Sequence, residues 1–168
     1  DPRWVPARSG RAGWPALVDT LDAAEPVGEG DPAEVGEAAA GRLGRRGLVV
    51  WLTDGLGDPG RMVRAASRLK EEGHDVMVLR ILDPVEISLS WDSPTRFKGL
   101  EGGGVLRADP KAIRKAYVET FEEHAQTLRR GLRELNVDFL RMPTDQSLEP
   151  ALAGFLANRA ARLRKAGR

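Results

Sequence analysis

Three observations in the sequence predict an α/β fold with a mostly parallel sheet, helices on both faces and a small β-hairpin insertion. First, Gly47-Leu48-Val49-Val50-Trp51-Leu52-Thr53-Asp54-Gly55 is a short apolar run ending in an acid and a glycine, as buried parallel strands do. Second, Asp75 to Leu82 is another such run, and a segment of helical periodicity separates the two. Strand, helical crossover and strand form the βαβ unit of a parallel sheet. Third, Ile113, Tyr117, Phe121, His124, Leu128, Leu132 and Leu135 recur at steps of four and three, the pattern of one long amphipathic helix.

The remaining elements follow in chain order. Trp4-Val5-Pro6 reads as a strand end running into a loop. Trp14, Leu17, Val18 and Leu21 are spaced for a first helix, with Pro15 tolerated in its first turn. Pro26 to Pro32 is a loop, and Val35, Ala38, Ala39 and Leu43 mark a second helix closed by Gly44. Asp58 and Pro59 are suited to cap and start a third, with Met62, Val63, Ala66 and Leu69 inward and Gly73 at its end. From Asp83 to Asp109, glycines flank short β-prone pieces around Phe97 and Val105. This segment reads as a hairpin lying against the main sheet, anchored by Trp91 and Phe97. Asp109-Pro110 repeats the cap-and-proline start for the long helix. A strand from Val137 to Met142 then leads into a last helix carrying Leu148, Ala151, Leu152, Phe155, Leu156 and Leu163. The expected buried strand positions are Val49, Val50, Leu52, Val76, Val78, Leu79, Ile81, Phe139 and Leu140.

The 168 residues suffice for one domain with its own core, and 41% apolar with 30% charged residues describes an ordinary globular chain. Twenty-six basic against 25 acidic side chains leave a net charge of +1, so no global field argues for nucleic acid. The chain has no cysteine, which removes disulfides and thiolate chemistry and fits a reducing, cytoplasmic compartment. No stretch is long and apolar enough for a membrane helix, and none reads as a signal peptide. The first residues, Asp1-Pro2-Arg3, suggest the C-terminal portion of a longer protein. In that reading residues 1–168 are one domain lacking its N-terminal strand. The sheet is then expected to show a gap or unpaired edge between the segment near Trp4 and the strand ending at Asp54.

Familiar catalytic signatures are missing: no phosphate-binding Gly-x-x-x-x-Gly-Lys, no dinucleotide Gly-x-Gly-x-x-Gly after a strand, no Gly-x-Ser-x-Gly elbow and no His-Glu-x-x-His pair. Gly28-Glu29-Gly30 is a fragment whose acids, Glu29 and Asp31, would repel a phosphate. Asp145-Gln146-Ser147 starts like a metal-binding Asp-x-Ser-x-Ser, but Glu149 breaks it, and helix capping accounts for it better. His124 lies on an apolar stripe and reads as a packed, hydrogen-bonded histidine. The basic end, with Arg159, Arg162, Arg164, Lys165 and Arg168, reads as a solvated helix terminus. Asp54, at the carboxyl end of a strand, either simply opens its loop or contacts a metal or ligand.

Taken in order, Leu48 to Asp54, Leu82-Asp83-Pro84-Val85-Glu86, Pro94-Thr95-Arg96-Phe97 with Leu100-Glu101, Ala116-Tyr117, and Pro143-Thr144-Asp145 before Phe155-Leu156 resemble the bacterial domain of unknown function 58 family. The resemblance runs from about Trp4 to Arg159. It implies a von Willebrand factor A-like domain, a Rossmann-like sheet with a metal-ion-dependent adhesion site at its strands' carboxyl ends. Such a site takes an Asp-x-Ser-x-Ser loop, a threonine and an aspartate from three loops. Asp54 matches the third-loop aspartate, Asp31 stands near the threonine's place, and the first loop would lie upstream of Asp1. The implied cofactor is magnesium or manganese, both of which accept carboxylate oxygens. The family's genes typically accompany a MoxR-type AAA+ ATPase, so the resemblance implies that ATPase or its client as partner and no enzymatic activity. The expected function is a non-catalytic adaptor. The rival is a magnesium-dependent hydrolase or phosphotransfer enzyme using Asp54, which needs a second acid nearby; Asp58 is the near candidate and looks better employed as a helix cap.

Overall fold

The computed structural model describes residues 4–6, 10–11, 13–25, 30–44, 46–99 and 104–166. Helices α1 (Gly13–Asp22) and α2 (Pro32–Ala40) precede β1 (Leu48–Thr53). Then come α3 (Pro59–Glu71), β2 (Asp75–Leu82), the short α4 (Pro84–Ser88), β3 (Thr95–Lys98), β4 (Val105–Ala108), α5 (Pro110–Glu134), β5 (Asp138–Pro143) and α6 (Leu148–Ala166). The main sheet has order β1-β2-β5 and is parallel throughout, with Leu48 opposite Asp75 and Met77 opposite Asp138. The expected βαβ unit is therefore present, and the α/β class holds.

Strand alternation distributes the core over two faces. Val76 and Val78 of β2 point to the layer formed by α2, α3 and α5, where they join Trp51, Met62, Ala65, Ala66, Leu69, Leu128 and Leu132. Met77 and Leu79 point the other way, onto Met142 and the α6 residue Phe155. Helices thus cover both faces. Two of the expected core positions are corrections: Val50 is 41% and Leu52 is 64% exposed. They share the α6 side of the sheet, but the cluster under α6 is built on β2 and β5 and stops short of β1. Both side chains lie on the outermost described strand, beyond that cover.

β1 pairs with β2 and with no other described strand. Residues 4–6 are irregular rather than a strand end. Trp4 instead lies against the Arg42 guanidinium, 4.6 Å from ring centroid to Cζ. The first helix forms as the spacing predicts, yet Trp14 and Leu21 remain 68% and 65% exposed.

The second helix turns a different face inward from the one its larger residues suggest. Ala33, Gly36 and Ala40 are buried while Val35 is half exposed, and the helix ends at Gly41 rather than Gly44. Packing explains the choice. A Cβ on Gly36 would come within 2.6 Å of the Trp51 ring, so only a stripe of small residues lets α2 lie close over that tryptophan. The third helix follows expectation, with Asp58 accepting from the Arg61 N–H at 2.6 Å, Pro59 in its first turn and Gly73 just past its end at φ +87°.

In the Asp83–Asp109 segment, α4 is an addition to the reading from sequence. Asp83 and Glu86 form a reciprocal capping box around Pro84, a signal already present in Asp-Pro-Val-Glu. β3 and β4 then pair antiparallel, and Trp91 meets Phe97 edge-on at 5.2 Å. The segment is tethered to α5 rather than to the sheet. Arg114 donates to the Leu89 and Trp91 carbonyls at 3.0 and 2.9 Å, and Tyr117 donates to the Glu86 carbonyl at 2.6 Å. Ser147 accepts from the Glu149 N–H at 3.3 Å, the capping role expected of it, and Arg159 pairs with Asp75. The expectations for Glu29 and Leu100-Glu101, and for the Leu163, Arg162, Lys165 and Arg168 side chains, fall outside what is described.

The contact between α2 and Trp51 gives a test. Gly36→Ala is expected to lower stability by about 1–3 kcal/mol in a urea titration, through overpacking, although alanine is intrinsically favoured in a helix by about 1 kcal/mol. An unchanged or raised midpoint would contradict the close packing.

Candidate functional site at the carboxyl ends of the strands

The loop leaving β1 is shaped by its own side chains before anything else touches it. Thr53 Oγ1 accepts from the Gly55 N–H at 3.0 Å, and Asp54 Oδ1 accepts from the Leu56 N–H at 3.1 Å, an aspartate turn. Gly55 is buried with φ +64°, and a Cβ there would stand 3.2 Å from Arg80 Nε. Both its backbone angle and its neighbour call for glycine.

Arg80 is the residue beneath that loop. It lies on β2, facing the α3–α5 layer, and is 1% exposed. Its Nε donates to the Asp54 carbonyl at 2.8 Å, and its guanidinium carbon stands 4.6 Å from the Phe121 ring centroid. Burial, and next the neighbouring Arg141, push its pKa down from the ordinary guanidinium value, while Asp54 and Glu122 pull it back up. Arg141 occupies the paired position on β5. It donates through Nη1 to Glu122 at 2.8 Å and stands 5.7 Å from the same Phe121 ring. From the other end of the loop, His124 meets the Gly57 carbonyl at 2.9 Å. A carbonyl only accepts, so Nε2 carries the proton of this bond. The expected packed, hydrogen-bonded histidine is thus found, though it is half-buried and serves the loop rather than the deep core.

The two residues singled out as metal ligands do come to the same end of the sheet. Asp31 caps α2, accepting from the Ala33 N–H at 2.8 Å, and a Cβ on Gly57 would lie 3.5 Å from its Oδ1. Its second oxygen pairs with the Arg61 guanidinium. Asp54 spends one carboxylate oxygen on its own turn and its carbonyl on Arg80. Asp58, the acid next along, caps α3. Among the described residues no group of three or more His, Asp or Glu side chains surrounds a common point. As arranged, these side chains do not fit a divalent cation: at Asp31 an arginine already supplies the positive charge.

Sequence reading passed over Arg80 and Arg141. The available signal was a charged residue inside an otherwise apolar strand, in Val78-Leu79-Arg80-Ile81 and again in Leu140-Arg141-Met142. A charge at such a position is rarely fully buried without a partner, and that makes it informative.

Tyr117 reports on this cluster. It stacks on Phe121 at 5.9 Å and is the sole tyrosine of the chain. Burial first, and then Glu86, push its pKa above the ordinary 10.0. A pKa raised on folding stabilises the fold below the unfolded-state value, and that stability is lost as pH rises through the folded-state value. An ultraviolet titration of tyrosinate is expected to show a midpoint above 10.0, falling to the ordinary value in denaturant. A native midpoint at or below 10.0 would contradict this packing.

Comparison with known proteins bears on the fold and family. The family model described as protein of unknown function DUF58 matches residues 1–127. No curated protein matches the chain. Among solved structures, the conserved hypothetical protein BatB from Bacteroides thetaiotaomicron is similar, with 17% identity and a TM-score of 0.51 over 88% of this chain and 70% of that one. At that identity the likeness concerns the fold, and it agrees with a von Willebrand factor A-like, Rossmann-type sheet. The chain belongs to the DUF58 family.

Proposed function

We propose that this domain is a non-catalytic interaction module whose docking element is the loop from Asp54 to Asp58. Its partner is a MoxR-type AAA+ ATPase or that ATPase's client, the expectation that goes with the family. The observation that carries this reading is the state of the loop. Arg80 holds its first carbonyl and His124 its fourth, while Leu56 stands 54% exposed between the exposed carboxylates of Asp54 and Asp58. A loop already fixed in place spends little conformational entropy on binding, and an exposed leucine between acids can anchor a complementary apolar spot with a basic rim.

The competing hydrolase reading needs a second acid free to act beside Asp54. Asp58 is engaged at the amino end of α3, so the adaptor reading is preferred. It also needs no divalent cation, because Arg61 fills that role at Asp31. No helix among the described residues is long and apolar enough to cross a membrane, which bears only on helical spans.

Binding of a purified MoxR-type ATPase to the immobilised chain provides the test. Leu56→Asp is expected to weaken binding at least about tenfold, the loss of roughly 1.4 kcal/mol at a buried anchor, with an unchanged melting temperature. Asp54→Ala should weaken it less, and exchanging magnesium for a chelator should leave affinity unaltered. Equal affinity of the Leu56→Asp variant, or binding abolished by chelation, would contradict the proposal.

A further inference from the structure

Arg80 and Arg141 stand side by side in register on β2 and β5, on one face of the sheet, with both guanidiniums within 6 Å of the Phe121 centroid. Four of their six nitrogens, Nη1 and Nη2 of Arg80 with Nε and Nη2 of Arg141, are buried and have no hydrogen-bond partner. Buried donors of this kind are ordinarily satisfied, and on a charged group the deficit is costly. The local charge is out of balance in the same direction. Glu122 offsets Arg141 at 2.8 Å, but Arg80 makes its one hydrogen bond to a carbonyl. The Asp54 carboxylate contributes at longer range, with one oxygen turned to Leu56.

We infer that the paired guanidiniums of Arg80 and Arg141 form a binding site for one small oxyanion of phosphate or carboxylate type, seated between the carboxyl ends of β2 and β5 and helix α5. The chemistry matches on each count. Two guanidinium forks present several N–H donors from adjacent strands, an arrangement suited to the oxygens of a planar or tetrahedral anion. Glu122 is in direct contact with Arg141 alone, and the Asp54 carboxylate acts on Arg80 only at longer range, so an anion in contact with Arg80 would be favoured. The Arg141 and Glu122 side chains are 24% and 39% exposed and Arg80 is 1% exposed, so an anion would approach from the Arg141 side. The arginine side chains must part to admit it, because their unpartnered nitrogens are buried. The anion would touch Arg80 on the side opposite its bond to Asp54, so occupancy stiffens the floor of the β1–α3 loop. This assignment concerns the arginines alone and stands whether or not the loop docks a partner.

Thermal melting of the whole chain in sodium phosphate, sodium acetate and sodium chloride at matched ionic strength tests it. For a site of about 5 mM affinity, 50 mM of the preferred anion should raise the melting temperature by roughly 3–6 °C over chloride. A rise with phosphate alone identifies a tetrahedral ligand, and a rise with acetate as well identifies the carboxylate class; both support the site. Arg141→Gln combined with Glu122→Gln keeps the local charge balance and should abolish the rise. Should that variant fail to fold, nitrogen-15 spectra of the arginine side chains in the unaltered chain give the same reading, since phosphate should move the signals of Arg80 and Arg141 before those of exposed arginines. No rise over chloride with either anion would overturn the assignment. So would a high-resolution structure grown in phosphate that shows only water on the four nitrogens.

Discussion

A guanidinium taken almost wholly out of water at the end of the central strand is the constraint around which this molecule is arranged. Removing Arg80 from solvent costs several kcal/mol, which must be offset locally for the fold to keep it. The offsets come from two separate parts of the chain: the carbonyl and carboxylate of Asp54 at the exit of β1, and the Phe121 ring with the neighbouring Glu122 carboxylate on α5. Because these contacts come from the loop after β1 and from α5, the residue ties the start of the β1–α3 loop to the helix lying over the sheet. Gly55 follows from it directly, since a side chain at that position would meet the arginine.

A second close approach sets the other wall of the site. The stripe Ala33, Gly36, Ala40 brings α2 down onto Trp51, and the same displacement carries the amino end of α2 alongside the loop at Gly57. Asp31 arrives there as a helix cap, already neutralised by Arg61 from α3. At the carboxyl end of the sheet, where open α/β folds place their ligands, Arg80 and Arg61 thus hold Asp54 and Asp31.

The architecture was legible where a local rule and the tertiary fold agreed. The bounds of β2, the starts of α3 and α5 at Asp-Pro, and the parallel crossover all follow from periodicity and capping chemistry. Legibility failed where a neighbour decided. Burial of Val50 and Leu52 depends on what covers the far side of β1, which the strand's own composition cannot report. The inward face of α2 went to small residues because of Trp51, eleven or more positions away, against the pull of Val35 and Leu43. At the site, Asp54 and Asp31 were singled out for a metal role; Asp54 lies at the exit of β1 and Asp31 beside Gly57 of the same loop. Their partners were invisible, because arginines carry no spacing signature that announces which carbonyl or carboxylate they will reach.

Amide hydrogen exchange at Gly55 and Leu56 in an Arg80→Met variant measures most directly whether Arg80 anchors the loop. Methionine fills much of the same space, removes the repulsion from Arg141 and leaves Glu122 its own arginine partner, so no buried carboxylate is orphaned and loop and fold can be separated. With the anchor lost, exchange at Leu56 should accelerate roughly tenfold, the equivalent of one hydrogen bond of about 1.4 kcal/mol, while amides in β2 and α5 keep their protection. Unchanged exchange at Gly55 and Leu56 in a folded Arg80→Met protein would contradict the anchoring role.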